Sequence, residues 1–215
     1  MHIAITGNIG AGKTTLASKL ADYYGWEVLY EAVDGNPYLS PFYEDMEKWA
    51  FHLQIYFLNS RFEQVLKIKR LAVEKTIIQD RSIYEDAYIF ARNLYESGKF
   101  NEIDYQTYRS MFNTITQAIT HPDLMIYLRA DLPKLQKQIS KRGRDFEKNI
   151  DPEYLINLNT LYEDFVNLYT HGKLLIIDVN NLDYAENEKD FMNIIEIIDK
   201  NISVGTQLEI RPLIA

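Results

Sequence analysis

The chain opens on Met1-His2-Ile3-Ala4-Ile5-Thr6-Gly7-Asn8-Ile9-Gly10-Ala11-Gly12-Lys13-Thr14-Thr15, around which the remaining elements are arranged. An apolar strand runs into a glycine-rich turn and then into a helix, with every fixed element of the G-x-x-x-x-G-K-[ST] pattern in place. Gly7, Gly10 and Gly12 free the backbone to take positive φ, so that the N–H groups of the loop, Asn8, Ile9 and Ala11 included, can curl around a phosphate. Lys13 is spaced to reach the β- and γ-phosphates of a nucleotide, and Thr14 offers a hydroxyl to Mg²⁺. With Thr15 the helix is under way; it runs to about Tyr24 and aims its positive end at the same phosphates.

Composition narrows the rest. A chain of 215 residues is long enough for one domain with a substantial core. A single domain over residues 1–202 is expected, followed by a mobile tail over 203–215 that contains Gly205 and Pro212. No apolar run approaches the ~20 residues that span a bilayer, and the N-terminal apolar residues belong to the first strand rather than to a signal segment. No membrane partner and a cytoplasmic location are expected. The absence of cysteine removes disulfides, zinc–thiolate sites and thiol nucleophiles. A net charge of −8 and a pI near 5.1 argue against a nucleic-acid partner, which would call for a basic face.

Beyond the first helix, Gly25 is a natural helix stop, and Glu27 to Glu31 reads as a second strand ending in a carboxylate. Ala32 to Pro41 is irregular, and Phe42 to Val73 is helical, with Trp49, Leu53, Tyr56, Phe57 and Val65 at three-to-four spacing. Thr76 to Asp80 is a third strand. Ser82 caps a helix from about Ile83 to Ser97, stopped by Gly98, and another helix spans about Ile103 to Thr120. Asp123 to Leu128 is a strand buried on both faces. Asp131-Leu132-Pro133 starts a helix with an acidic cap and an early proline, which leads into the charged segment Lys141 to Glu147. A helix from Pro152 to Tyr169, a strand from Lys173 to Val179 and a helix from Glu186 to Asn201 complete the chain. Five strands separated by helical crossovers give a parallel sheet covered on both faces, the three-layer α/β/α arrangement of P-loop NTPases with an arginine-bearing lid.

Strand ends in such sheets carry ligand sites, which puts Glu31 and Asp80-Arg81 on the rim of the phosphate loop. A GTPase would carry D-x-x-G and N-K-x-D, and neither is present. Asp80 is placed to support a metal, while Arg81 with Arg142 and Arg144 of the lid supplies three cations for a phosphoryl group in flight. Glu31 is then the carboxylate left to accept a proton from an attacking hydroxyl.

These residues, together with Tyr43, Trp49, Gln54, Arg61, Asp86 and Glu147, resemble the deoxyribonucleoside kinases in order and spacing from the first strand to about Leu161. The resemblance implies transfer of the ATP γ-phosphate to the 5′-hydroxyl of a small-molecule deoxynucleoside. Glu31 would be the general base, Arg81 would hold it and the 5′-oxygen, and Thr14 and Asp80 would support Mg²⁺. Gln54 would bond the base, Asp86 and Arg61 would face it, and Tyr43 and Glu147 would hold the 3′-hydroxyl. Phe57 and Phe90 lie a helical turn or more from Gln54 and Asp86, where they could sandwich the base or serve the core. The segment Glu31-Ala32-Val33-Asp34-Gly35-Asn36-Pro37-Tyr38-Leu39 is similar to the bacterial purine branch, which points to deoxyadenosine. Two departures stand out: Ala32 follows the glutamate where proline is common, and Gln138 stands where many members place a lid arginine. A homodimer packed through helices near Met46–Lys69 and Ile103–Thr120 is also implied.

Two other readings remain. A thymidylate-kinase-like enzyme would need further arginines for an acceptor phosphate. A nucleotide-gated regulatory protein would bind ATP without acceptor-dependent turnover.

Overall fold

The computed structural model describes residues 1–33, 35–147 and 150–203. Most of the expected tail, residues 204–215, and Asp34 of the purine-branch segment lie outside the described residues. Five parallel strands, β1 (His2–Thr6), β2 (Glu27–Leu29), β3 (Ile77–Asp80), β4 (Leu124–Arg129) and β5 (Lys173–Asp178), form one sheet in the order β2-β3-β1-β4-β5. Central β1 is buried along its whole length, with Ile3 in register with Ile78 on one side and Leu124 on the other. The strand order reverses at β1, so a crevice opens beyond its C-terminal end, where the phosphate loop begins.

The helices are α1 (Lys13–Tyr24), α2 (Leu39–Glu44), α3 (Met46–Leu71), α4 (Ile83–Glu85), α5 (Arg92–Glu96), α6 (Glu102–Thr116), α7 (Leu132–Arg142), α8 (Pro152–Leu168) and α9 (Glu188–Ser203). Side-chain alternation along β4 divides the core. Leu124, Ile126 and Leu128 pack with Leu16 and Leu20 of α1 and Ile194 and Ile198 of α9. Met125 and Tyr127 pack on the other face, with Leu53 and Leu58 of α3, Phe112 of α6 and Leu158 and Tyr162 of α8. The expected three layers follow from this two-sided burial.

Local chemistry moves several expected boundaries. The long helix expected from Phe42 breaks at Asp45, whose backbone is extended (φ −148°) and whose carboxylate accepts from the Lys48 N–H at 3.1 Å, starting α3 afresh. Strand β2 stops at Leu29 instead of Glu31, because the Tyr30 carbonyl accepts from Gln64 Nε2 of α3 at 2.7 Å and no longer faces a strand partner. The helix after β3 does not run regularly to Ser97. Between α4 and α5 it passes through a π-helical segment, Asp86–Ala91, a widening of the turn common at functional sites. Asp131 does occupy the N-cap of α7, but its side chain makes no capping bond. No helix among the described residues is long and apolar enough to cross a membrane.

Candidate active site

The phosphate loop is held open from below. Gly10 and Gly12 have φ of 84° and 92°, values that side chains rarely adopt, and a Cβ on Gly10 would come within 2.8 Å of the Leu135 carbonyl. Asn8 turns its amide away from the crevice: Nδ2 donates to the Leu155 carbonyl at 2.9 Å and to Asn159 Oδ1 at 2.6 Å, tying the loop to α8. Ile9, Gly10, Gly12, Lys13, Thr14 and Thr15 line a cleft of about 720 Å³, while Gly7, Asn8 and Ala11 lie behind that surface.

Lys13 is nearly buried, and its Nζ donates to the Asn8 carbonyl at 2.9 Å. Burial, reinforced by the neighbouring Arg81 charge, pulls its pKa down to about 7 against the opposing pull of Asp80 and Glu31. Thr14 Oγ1 donates to Asp80 Oδ2 at 2.5 Å. The other oxygen, Asp80 Oδ1, is buried without a hydrogen-bond partner, and burial raises the pKa of this carboxyl despite Lys13. An orphaned carboxylate oxygen beside a threonine hydroxyl fits a hard divalent cation that takes oxygen ligands. Among the described residues no cluster of three His, Cys, Asp or Glu competes as a metal site. Such an ion would therefore share protein, phosphate and water ligands.

Facing the loop, Glu31 Oε1 meets Arg81 Nε at 2.9 Å and Arg61 NH2 at 3.0 Å. Burial pushes the Glu31 carboxyl up, but Arg81, Arg61 and Lys13 together outweigh it and bring the pKa down to about 2. Oε2 makes no hydrogen bond among the described residues, so an ionised oxygen is available at the cleft wall. Arg81 has φ of 74°, the positive-φ exception among the described residues other than glycine, and its guanidinium carbon sits 4.8 Å over the Phe90 ring.

Tyr43, Gln54, Phe57, Asp86 and Phe90 line the same cleft. Gln54 Oε1 is buried with no partner, an unsatisfied acceptor in the cleft lining. The π-helical segment carries both Asp86 and Phe90. Arg61 departs from expectation: it is wholly buried and does not line the cleft, lying behind it between Glu31 and Asp86, with Nε 3.4 Å from Asp86 Oδ2. Burial raises the Asp86 pKa to about 7, with Arg61 opposing.

The expected lid is present but engaged. Arg142 donates to Glu147 Oε2 from Nε at 2.9 Å and from NH2 at 2.5 Å, and Arg144 NH1 lies 3.4 Å from Oε1. Phe146, which the sequence reading did not single out, stacks on Tyr43 at 5.6 Å and 21°. Gln138 and Lys141 line the same edge, and Lys141 reaches Glu186 across it at 3.2 Å. Sequence reasoning also missed Glu85 and Tyr162, both fully buried under Arg81. The Ser82-x-x-Glu85 spacing before a helix was a signal for the first, and the Ser82 N–H does donate to Glu85 Oε2 at 2.7 Å. No local signal marked Tyr162.

A lysine-bearing phosphate cradle, a metal-competent carboxylate and an ionised carboxylate clamped by guanidinium groups thus share one cleft with an unsatisfied amide, an arrangement suited to moving a phosphoryl group onto a hydroxyl.

Comparison with known proteins agrees. The family model "Deoxynucleoside kinase" matches residues 3–203. A deoxyadenosine/deoxycytidine kinase of Bacillus subtilis is 38% identical over 198 residues, covering 91% of this chain and 90% of that protein. A deoxyguanosine kinase of the same organism is 34% identical over 198 residues, covering 89% of this chain and 93% of its own length. The solved structure of deoxyadenosine kinase from M. mycoides with bound dATP superposes with a TM-score of 0.81 at 33% identity, covering 93% of this chain and all of that one. Matched over nearly its whole described length, the chain belongs to the deoxynucleoside kinase family, ATP-dependent phosphotransferases acting on small-molecule nucleosides.

Proposed function

We propose that the preferred acceptor is deoxyadenosine and that Glu31 is the general base for its 5′-hydroxyl. The unsatisfied Gln54 Oε1 in the same cleft as Asp86 supports a base that carries an amino group, and the likeness of the Glu31 to Leu39 segment to the bacterial purine branch selects deoxyadenosine among such bases. A glutamine amide presents the donor–acceptor pair that adenine matches, and an Asp86 carboxyl oxygen can accept from an exocyclic amino group. Arg61, buried behind Asp86, acts on the base through that carboxylate. Relatives are named for deoxyadenosine, deoxycytidine and deoxyguanosine, among them deoxyadenosine kinases of Dictyostelium discoideum and Lactobacillus acidophilus.

In this reading the phosphate loop and Lys13 hold the donor phosphates, and Arg81 faces the transferring group. Tyr43 and Glu147 hold the sugar 3′-hydroxyl. Thr14 and Asp80 would hold Mg²⁺, which when bound neutralises charge on the β- and γ-oxygens. Glu31, held near pKa 2, is too weak a base to strip the hydroxyl at the outset. It orients the hydroxyl and takes the proton late, as the oxygen–phosphorus bond forms, which a loose transition state permits. Arg142 and Arg144 move from Glu147 toward the donor phosphates as the lid closes.

The same reading pairs two copies through α3 and α6, which expose Leu66, Ile103 and Met111. Light scattering of the purified protein measures this directly, a monomer at micromolar concentration being the contrary result. The acceptor assignment is tested by kcat/KM for ATP with each of the four deoxynucleosides. The highest value is expected for deoxyadenosine; a higher value for deoxyguanosine or deoxycytidine overturns the assignment.

A further inference from the structure

Arg81 is gripped on all but one side. Its NH1 is 3.1 Å from Glu85 Oε1, 2.9 Å from the Tyr162 hydroxyl and 3.2 Å from the Gly7 carbonyl. Its Nε is on Glu31, and its flat face lies over Phe90. NH1 alone makes hydrogen bonds and Nε is held by its ion pair with Glu31, so NH2 is the nitrogen with neither a hydrogen bond nor an ion pair among the described residues, and Arg81 lines the cleft. The grip centres on Glu85, which is 0% exposed and uses both oxygens. Oε2 accepts the Ser82 N–H at 2.7 Å and fixes the start of α4. Oε1 accepts from Arg81, from the Tyr162 hydroxyl at 2.8 Å and from the Gly7 N–H at 3.4 Å. The Tyr162 hydroxyl also lies 2.8 Å from the Gly7 carbonyl.

Three separate segments therefore meet on one buried carboxylate: the first glycine of the phosphate loop, the strained residue after β3, and α8. A buried carboxylate is costly unless it is fully partnered, and this one is. Its partners are the backbone that cradles the donor and the guanidinium that touches the Glu31 oxygen.

We propose that Glu85, assisted by Tyr162, is a positioning residue for phosphoryl transfer: it locks the Arg81 guanidinium in register with the phosphate loop, so that NH2 alone is directed at the reacting group. Glu85 contacts neither the donor nor the acceptor. Its effect therefore falls on kcat and passes through Arg81. The inference rests on the role given above to Arg81, and the experiment separates the two.

Four variants of the full chain are compared by steady-state kinetics with ATP and deoxyadenosine: Glu85→Gln, Tyr162→Phe, Arg81→Gln and the Glu85→Gln/Arg81→Gln double variant. A glutamine has one oxygen and so cannot accept on both sides as Glu85 does. Glu85→Gln is expected to lower kcat by ~10-fold or more, with each KM changed less than about 3-fold, and to add no further loss once Arg81 is already glutamine. Tyr162→Phe, which keeps the ring in the core, is expected to lower kcat by about 3- to 10-fold in the same pattern, and it decides the question if Glu85→Gln fails to fold. A Glu85→Gln or Tyr162→Phe protein with unchanged kcat, a change confined to KM, or losses from Glu85→Gln and Arg81→Gln that multiply in the double variant overturns the positioning role alone. An Arg81→Gln enzyme with wild-type kcat overturns the reading of Arg81 itself, and the inference with it.

Discussion

Arg142 directs both Nε and NH2 at a single oxygen of Glu147, at 2.9 and 2.5 Å. The cation expected to meet the donor phosphate is thus held by the carboxylate expected to meet the acceptor sugar. Both arginines of the lid are about one-third exposed (34%), so solvent weakens these pairs, and a phosphate can displace them. Glu147 itself is buried and lines the cleft.

Removing Glu147 should therefore weaken the acceptor more than the donor. A hydrogen bond to a buried charged acceptor is worth ~1.5–3 kcal/mol, so Glu147→Ala should raise KM for deoxyadenosine ~10- to 100-fold. The preference for deoxyadenosine over 2′,3′-dideoxyadenosine should shrink by a similar factor, because the lost partner served the 3′-hydroxyl. Comparing kcat/KM for the two acceptors checks this. A dideoxy preference ratio equal to that of the wild type would show that Glu147 does not read the 3′-hydroxyl.

Glu31→Gln keeps the shape of the side chain but removes the charge that draws Arg61 and Arg81 together. Each arginine retains another carboxylate, Asp86 or Glu85, so the fold should persist. Turnover should fall ~10²–10⁴-fold, the usual cost of losing a general base, with deoxynucleoside binding kept. Binding is measured by calorimetry and turnover by product formation. Near-normal kcat would remove Glu31 from the proton transfer.

Much of this site is legible in the sequence because its parts sit at fixed places along a periodic pattern. The phosphate loop, Glu31 and Asp80-Arg81 each follow an apolar strand, and parallel strands bring their C-terminal ends to one rim. Gln54 is recoverable from helical spacing. Other features depend on contacts between distant segments. Arg61 lies on the expected stripe of α3, but its burial is set by Glu31 and Asp86, which come from two other elements. The break at Asp45 turns on whether its carboxylate caps a backbone N–H, a local competition that hydrophobic spacing does not record. The π-helical turn at Asp86–Ala91 is hidden for a related reason: apolar periodicity tolerates one wide turn without a visible slip.

Asp86 and His2 should give opposing slopes to stability against pH. Burial raises the folded Asp86 pKa from 3.8 to about 7, so its protonated form favours the folded state; that stabilisation is complete below pH ~4 and lost as pH rises through 7. Burial lowers the folded His2 pKa from 6.5 to about 4, the Gln79 hydrogen bond and Asp123 only partly opposing it. Its contribution is present above pH ~6.5 and lost as pH falls through 4. Asp86→Asn removes the first slope and leaves the second. The melting temperature of that variant should rise more steeply than that of the wild type between pH 4.5 and 6.5. Parallel curves in thermal denaturation would show that Asp86 titrates in the folded protein near its ordinary value.

Lys13 should take up a proton when ATP binds. With the cleft free of nucleotide, burial and the Arg81 charge bring its pKa to about 7, so at pH 8 most molecules carry a neutral amine. Donor phosphates set against that amine favour the ammonium form, and the loop holds them there with backbone N–H groups that are charged in neither state. Binding at pH 8 should then draw about one proton from the buffer for each ATP bound. Calorimetric titrations in HEPES and in Tris at pH 8 expose this uptake, because the two buffers release their proton with different heats. The apparent enthalpies should differ by nearly the full difference between those heats. Equal enthalpies in both buffers would mean that Lys13 is already charged before the nucleotide arrives, and that the acidic side of the site, Asp80 and Glu31, outweighs burial in setting its charge.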